Sequence, residues 1–196
     1  MHIILLSGGS GKRLWPLSND TRSKQFIKIF KRPEGAPPLG KDSDSDYESM
    51  VQRVYRQIKT VDPDATVTIA TSKSQVSSIH NQLGDGVNIS VEPCRRDTFP
   101  AIALATAYLH DVMRVPSDEA VVVCPVDPYV EESYFTTLRE MYRIAKEKDG
   151  IVLMGIQPTF PTEKYGYILP REEADGSTSF EFKEKPDAET AKQYIE

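Results

Sequence analysis

The segment Ser7-Gly8-Gly9-Ser10-Gly11-Lys12-Arg13 follows an apolar run, Ile3 to Leu6, and has the composition of a phosphate cradle. Gly8, Gly9 and Gly11 allow the backbone to pass through φ > 0 and bring unshielded N–H groups near an anion, while Lys12 and Arg13 place cations at the exit. That chemistry suits a nucleoside triphosphate. Two common glycine-rich templates are excluded. The Walker spacing requires glycine where Leu6 stands and Ser or Thr where Arg13 stands, and the dinucleotide fingerprint requires glycine at Leu14. A tight strand-to-helix turn with no chemical role is the alternative, and the turn alone does not choose.

Further along stand Lys24-Gln25-Phe26, then Glu92-Pro93-Cys94-Arg95-Arg96-Asp97-Thr98-Phe99-Pro100-Ala101, then Pro125-Val126-Asp127. They are followed by Pro161-Thr162-Glu163-Lys164-Tyr165-Gly166-Tyr167-Ile168 and Phe182-Lys183-Glu184-Lys185-Pro186-Asp187. In this order the segments resemble the sugar-1-phosphate nucleotidylyltransferases. The Leu14-Trp15-Pro16-Leu17 ending of the first loop is similar to the mannose-1-phosphate guanylyltransferase (GDP-mannose pyrophosphorylase) branch. The resemblance runs from Met1 to Glu196 and covers only the N-terminal catalytic part of a typical member.

What the resemblance implies is transfer of GMP from GTP to α-D-mannose 1-phosphate, giving GDP-mannose and pyrophosphate, with Mg²⁺ as cofactor. Carried onto this chain, it makes Arg13 and Lys24 the catalytic cations and Asp127 the metal ligand. Leu6, Gly8, Gly9, Gly11, Lys12, Arg96, Asp97 and Thr98 fall on the nucleotide side, and Gly166, Glu184 and Lys185 on the sugar-phosphate side. The attacking phosphate is already anionic, so no protein nucleophile is needed, and catalysis consists of aligning two anions and stabilising charge on the leaving oxygens. Arg13 suits the leaving phosphates because a planar guanidinium holds two oxygens at once. An acceptor facing the N1–H and N2–H₂ of guanine would reject adenine, since an unpaired buried acceptor costs roughly 1–3 kcal/mol.

The chain departs from the family pattern at three of these places. Pro128 stands where histidine often follows the aspartate, Asp97 replaces an asparagine, and Lys12 replaces a threonine. Read without the family, Asp127 before Pro128 also suits a helix N-cap, and Glu184-Lys185-Pro186 an exposed strand end.

These residues require a scaffold. Apolar runs at Ile3 to Leu6, Thr66 to Ala70, Val87 to Val91, Ala120 to Cys124 and Ile151 to Gly155 alternate with helical patterns. The alternation predicts an α/β fold with a doubly wound, mostly parallel sheet covered on both faces. Helical stripes are Met50, Val51, Val54, Tyr55, Ile58; then Val76, Ile79, Leu83; then Ile102, Ala103, Ala107, Leu109, with Thr98 as cap; then Phe135, Leu138, Met141, Tyr142, Ala145. Short strands at Tyr167 to Leu169 and Ser179 to Phe182, then a helix capped by Asp187, resemble the small sugar-side β lobe of the family. Residues 1–196 are therefore expected to form one nucleotidyltransferase catalytic domain, cut short at its C-terminal end, with residues 33–47 as a mobile loop rich in Pro, Gly, Ser and Asp.

A net charge of −5 argues against a nucleic-acid surface or a polybasic membrane patch. No apolar span approaches the ~20 residues of a membrane helix, and the opening run is too short for a signal peptide, so a cytoplasmic location is expected. Cys94 and Cys124 make neither a disulfide framework nor a zinc site, and His2, His80 and His110 fall in unrelated segments. The expected partners are GTP and a sugar 1-phosphate, with no nucleic acid and no membrane, and self-association into a homo-oligomer is left open. Two other readings stand beside this one: the same chemistry on another sugar 1-phosphate or nucleotide, and a nucleotide-sugar-binding module without turnover.

Overall fold

The computed structural model describes residues 1–9, 15–19, 23–41, 45–148 and 150–195. Gly11, Lys12 and Arg13 therefore lie outside the described residues. The chain divides into two compact units, Met1–Val152 and Leu153–Glu196.

In chain order the first unit holds β1 (His2–Leu6), β2 (Lys28–Lys31), β3 (Tyr47–Ser49), α1 (Met50–Val61), β4 (Thr66–Ser72), α2 (Val76–Leu83), β5 (Asn88–Glu92), α3 (Thr98–Asp111), β6 (Val121–Pro125) and α4 (Glu132–Glu147). The second holds β7 (Gly166–Glu172), β8 (Thr178–Glu184) and α5 (Ala188–Gln193).

Four strands form a parallel sheet in the order β5-β4-β1-β6. Ile3, Ile4 and Leu5 are consecutive and all fully buried, as expected of a central strand covered on both faces. Ile4 and Ala70 pack with Ala105 and Leu109 of α3, while α4 packs on β6 and on α1. Successive strands step from β1 to β4 to β5, and β6 then returns to the other flank of β1. The carboxyl ends of β1 and β6 thus form a topological switch point, where open α/β sheets bind ligands.

Local sequence explains the helix starts. Ser49 and Gln52 form a reciprocal capping box on α1: the Ser49 N–H donates to Gln52 Oε1 at 3.0 Å, and the Gln52 N–H to Ser49 Oγ at 3.3 Å. The cap of α3 is Asp97, not Thr98 as expected; Asp97 Oδ1 accepts the Thr98 N–H at 2.9 Å, which leaves Thr98 as the first helical residue. A carboxylate outcompetes a hydroxyl for donors at the positive end of the helix.

Two other expectations change. Ile151 to Gly155 has strand composition but pairs with nothing among the described residues, and Ile151 is 89% exposed. Composition marks β propensity, whereas a strand exists only with a partner ladder. Conversely, β2 and β3 pair antiparallel around the 33–47 segment, although polar residues and short length hide both in the sequence. Within that segment Gly40 sits at φ +70°, and a Cβ there would stand 2.3 Å from the Asn81 carbonyl oxygen, so the backbone requires glycine. The neighbouring Lys41 N–H donates to that same oxygen at 2.8 Å.

In the second unit β7 and β8 form an antiparallel hairpin in which Gly166 faces Glu184. Asp187 caps α5 as expected, accepting the Thr190 N–H at 2.7 Å. No helix among the described residues is long and apolar enough to cross a membrane.

Burial in the core leaves a signature in the alkaline range. Cys124 is fully buried, and burial pushes its thiol from the ordinary 9.0 up to about 11, with the Asp127 charge adding to the rise. Between those values the unfolded chain loses a proton that the folded chain keeps, so this group's contribution to stability falls as pH rises from about 9 to about 11. Chemical denaturation of wild type and Cys124→Ala across that range should show a steeper loss for wild type, and parallel slopes would contradict it.

Candidate functional site

A cleft of about 450 Å³ opens at the carboxyl ends of β1, β4, β5 and β6, wholly within the first unit. Its floor is Leu6 at the end of β1 with Gly8 and Gly9 just beyond it, and Ala70 of β4 beside them. Lys24 and Gln25 form one wall. Glu92 at the end of β5, with Arg95, Asp97, Thr98 and Ala101 at the start of α3, forms a second, and Pro125 to Asp127 a third. Of the first-unit residues expected in the site, Leu6, Gly8, Gly9, Lys24, Asp97, Thr98 and Asp127 meet here. Arg96 is exposed and does not line the cleft.

Neither Gly8 nor Gly9 occupies the left-handed region, contrary to the reason first given for them. The chain leaves β1 extended instead: the Ser7 N–H continues the ladder to the Ala70 carbonyl at 2.9 Å. What glycine supplies is space. A Cβ on Gly9 would meet nothing within 4 Å, and one on Gly8 would stand 3.5 Å from Glu92 Oε1, so the cleft floor is bare backbone.

Lys24 and Asp127, 103 positions apart, are ion-paired across the cleft, Nζ to Oδ2. Both side chains are 42% exposed, and pairs of that kind are worth about 0–1 kcal/mol. The pair is therefore cheap to open for an incoming anion or cation. The segment after Asp127 is anchored from outside the cleft. Arg53 of α1 donates through Nη2 to the Val130 carbonyl at 2.9 Å, and its guanidinium lies 4.7 Å above the Tyr129 ring. That ring also stacks on Phe30 of β2 at 5.5 Å.

Glu92 is 9% exposed, and no described cation pairs with it. Among the described residues the lining holds two cations, Lys24 and Arg95, against three carboxylates, Glu92, Asp97 and Asp127. Asp97 is committed to capping α3 and adopts φ 73°, ψ −170°, a region that costs a non-glycine residue roughly 1–3 kcal/mol.

The sequence reading missed the roles of Glu92, Arg95 and Arg53, and that of Gln75, which lies behind the cleft. Glu92 and Arg95 stand in a quoted segment and their positions flanking a strand end could have flagged them. Arg53 and Gln75 carry no local signal, because their partners are distant in sequence.

The three residues expected on the sugar side lie together in the second unit. A Cβ on Gly166 would come within 2.7 Å of Glu184 Oε2, so the Glu184 carboxylate lies directly over the bare glycine. Lys185 Nζ is 3.1 Å from Glu184 Oε1, and the Lys185 N–H donates to the Tyr165 carbonyl at 3.2 Å. Lys185 holds φ 44°, which sets its side chain at the turn out of β8.

An open parallel sheet with its cleft at the switch point, floored by glycine and flanked by a helix start, defines an α/β nucleotide-binding type of protein. The chain matches the nucleotidyl transferase family over residues 2–196 and belongs to it. It is 34% identical over 197 residues to the xanthan biosynthesis protein XanB of Xanthomonas campestris pv. campestris, covering 98% of this chain and 38% of that protein. It is 31% identical over 208 residues to a mannose-1-phosphate guanylyltransferase of Escherichia coli, covering 98% of this chain and 40% of the relative. The alginate biosynthesis protein AlgA of Pseudomonas putida is 30% identical over 202 residues, with 98% of this chain and 38% of that protein aligned. The chain thus spans about two fifths of the length of the curated relatives it matches.

Proposed function

We propose that the cleft binds GTP with Mg²⁺ and that the chain transfers GMP to a hexose 1-phosphate, mannose 1-phosphate first among them. The observation that carries the reading is the meeting of Lys24, Asp127 and the bare Gly8-Gly9 backbone in one cleft at the switch point. Lys24 and the bare Gly8-Gly9 backbone suit phosphate oxygens, and Glu92, a carboxylate with no described counterion that borders Gly8, suits N–H donors where the phosphates give way to the base. Guanine offers two such donors on one edge and adenine offers none in the same arrangement, so Glu92 joins Asp97 and Thr98 on the base side. The relatives named as mannose-1-phosphate guanylyltransferases support the choice of guanine and mannose.

The donor set fits a magnesium ion carried in on phosphate. Among the described residues no group of three or more His, Cys, Asp or Glu could hold a metal by itself. Asp127 is a lone carboxylate at a strand end, which is sufficient for Mg²⁺ that keeps waters and takes its other oxygens from the triphosphate. Bound there, Mg²⁺ would neutralise phosphate charge and favour departure of pyrophosphate. Opening of the Lys24–Asp127 pair frees the ammonium for the phosphate nearest the reacting centre. Arg13 would hold the leaving phosphates, Glu184 would accept from sugar hydroxyls, and Lys185 would pair with the sugar phosphate.

The test is pyrophosphate release with GTP, Mg²⁺ and mannose 1-phosphate. Release that needs all three and yields GDP-mannose is the expected result. GTP binding with no release, in this chain and in a version extended to the length of its relatives, would instead favour a nucleotide-sugar-binding module.

A further inference from the structure

We infer that Gln75 is a positioning residue that sets the distance between the glycine floor of the cleft and Lys24. The inference rests on the reading of the cleft as a triphosphate site. Gln75 ends the short turn of helix between β4 and α2 and is fully buried. It occupies the N-cap position of α2, yet its side chain makes no cap hydrogen bond. The amide is turned toward the cleft loops instead. Nε2 donates to the Gly9 carbonyl at 3.2 Å and to Ser23 Oγ at 2.8 Å, and Oε1 accepts from Thr71 Oγ1 at 2.7 Å. A longer contact at 3.4 Å joins Oε1 to Gln25 Nε2, which itself donates to the Ser7 carbonyl at 3.1 Å.

One buried amide therefore ties three chain segments together: the backbone leaving β1, the residue preceding Lys24, and β4. Gly9 and the Lys24 side chain are exposed, so their positions follow from the backbone on which they stand, which the buried Ser23 and Gln75 tie together. A triphosphate must meet the Gly8-Gly9 backbone and the Lys24 ammonium at once, and small misplacements of such groups are costly. The base-side residues Glu92 and Thr98 belong to β5 and α3, and neither makes a hydrogen bond with this amide. Loss of Gln75 should thus fall on phosphate recognition and spare the base.

The experiment titrates wild type, Gln75→Met and Ser23→Ala with inorganic triphosphate plus Mg²⁺ and, separately, with guanosine. Gln75→Met keeps the side-chain length and removes every hydrogen bond. Its triphosphate affinity should fall about tenfold, a modest case of the loss that misplaced contact groups bring, while guanosine affinity changes less than about twofold. Ser23→Ala should lower triphosphate affinity about threefold, and the two changes combined should cost less than their product, because they remove a shared bond. Equal losses for both probes in Gln75→Met, or no loss, would overturn the positioning role while leaving the triphosphate site standing. If Gln75→Met does not fold, an unchanged triphosphate affinity in Ser23→Ala overturns it. Wild type that binds guanosine but no triphosphate would overturn the reading of the cleft and this role with it.

Discussion

Asp127→Asn is expected to lower the proposed guanylyl transfer by about 10²–10³-fold, the usual loss when one preorganised charge contact is removed. The substitution keeps size and hydrogen-bonding capacity but removes the negative charge that would hold Mg²⁺ on the triphosphate. Stability should barely change. The only described ion pair of Asp127 is with Lys24, both are 42% exposed, and the pair contributes about 0–1 kcal/mol. Turnover at saturating Mg²⁺ and both substrates, measured beside a urea denaturation curve, separates the two effects. A rate within threefold of wild type would remove Asp127 from the reaction. A fall in rate matched by a large fall in stability would make it a structural residue.

Phe135→Ala should do the reverse. Phe135 is fully buried in α4, the helix that packs against β6 and α1, and its ring meets Tyr134 edge-on at 5.3 Å. Truncation forfeits the transfer energy of the ring and leaves a cavity that the sheet and α1 cannot fill, which costs about 3–5 kcal/mol. The denaturation midpoint should drop with the slope unchanged, the sign of lost stability rather than a changed unfolding transition. GTP affinity of the remaining folded protein should stay near that of wild type, since the ring does not line the cleft. A loss below about 1 kcal/mol would contradict the packing described for α4.

Where residues declare their environment locally, sequence and structure agree. Ile3 to Leu6 read as a doubly covered strand because consecutive apolar residues have no solvent side, and α1 read as a helix because Val51, Val54 and Ile58 recur at its period. Asp127 could be placed at a strand end from the apolar run before it. Gln75 could not be found in this way: its decisive partner, Gly9, is 66 positions away, and a glutamine in a polar turn looks solvated until the fold buries it. The run Ile151 to Gly155 failed for the opposite reason, since β propensity says nothing about whether a pairing edge is present. Gly8 and Gly9 line the cleft, but not for the reason first given. Their use is the absence of a side chain rather than a left-handed backbone.

The family resemblance placed Lys24, Asp97, Thr98 and Asp127 around one bound nucleotide although they come from three separate stretches of chain, and all four line one cleft. Glu92 shows what a motif alone leaves out. Its meaning comes from being a buried carboxylate without a described counterion beside a phosphate-type floor, which only the assembled sheet reveals.

The most direct test of the account is calorimetric titration of the chain with GTP and with ATP, each with Mg²⁺. Because a carboxylate acceptor suits the N1–H and N2–H₂ of guanine and leaves adenine unpaired, GTP should bind at least about tenfold more tightly. Equal affinities for the two nucleotides, or no binding of either, would contradict it.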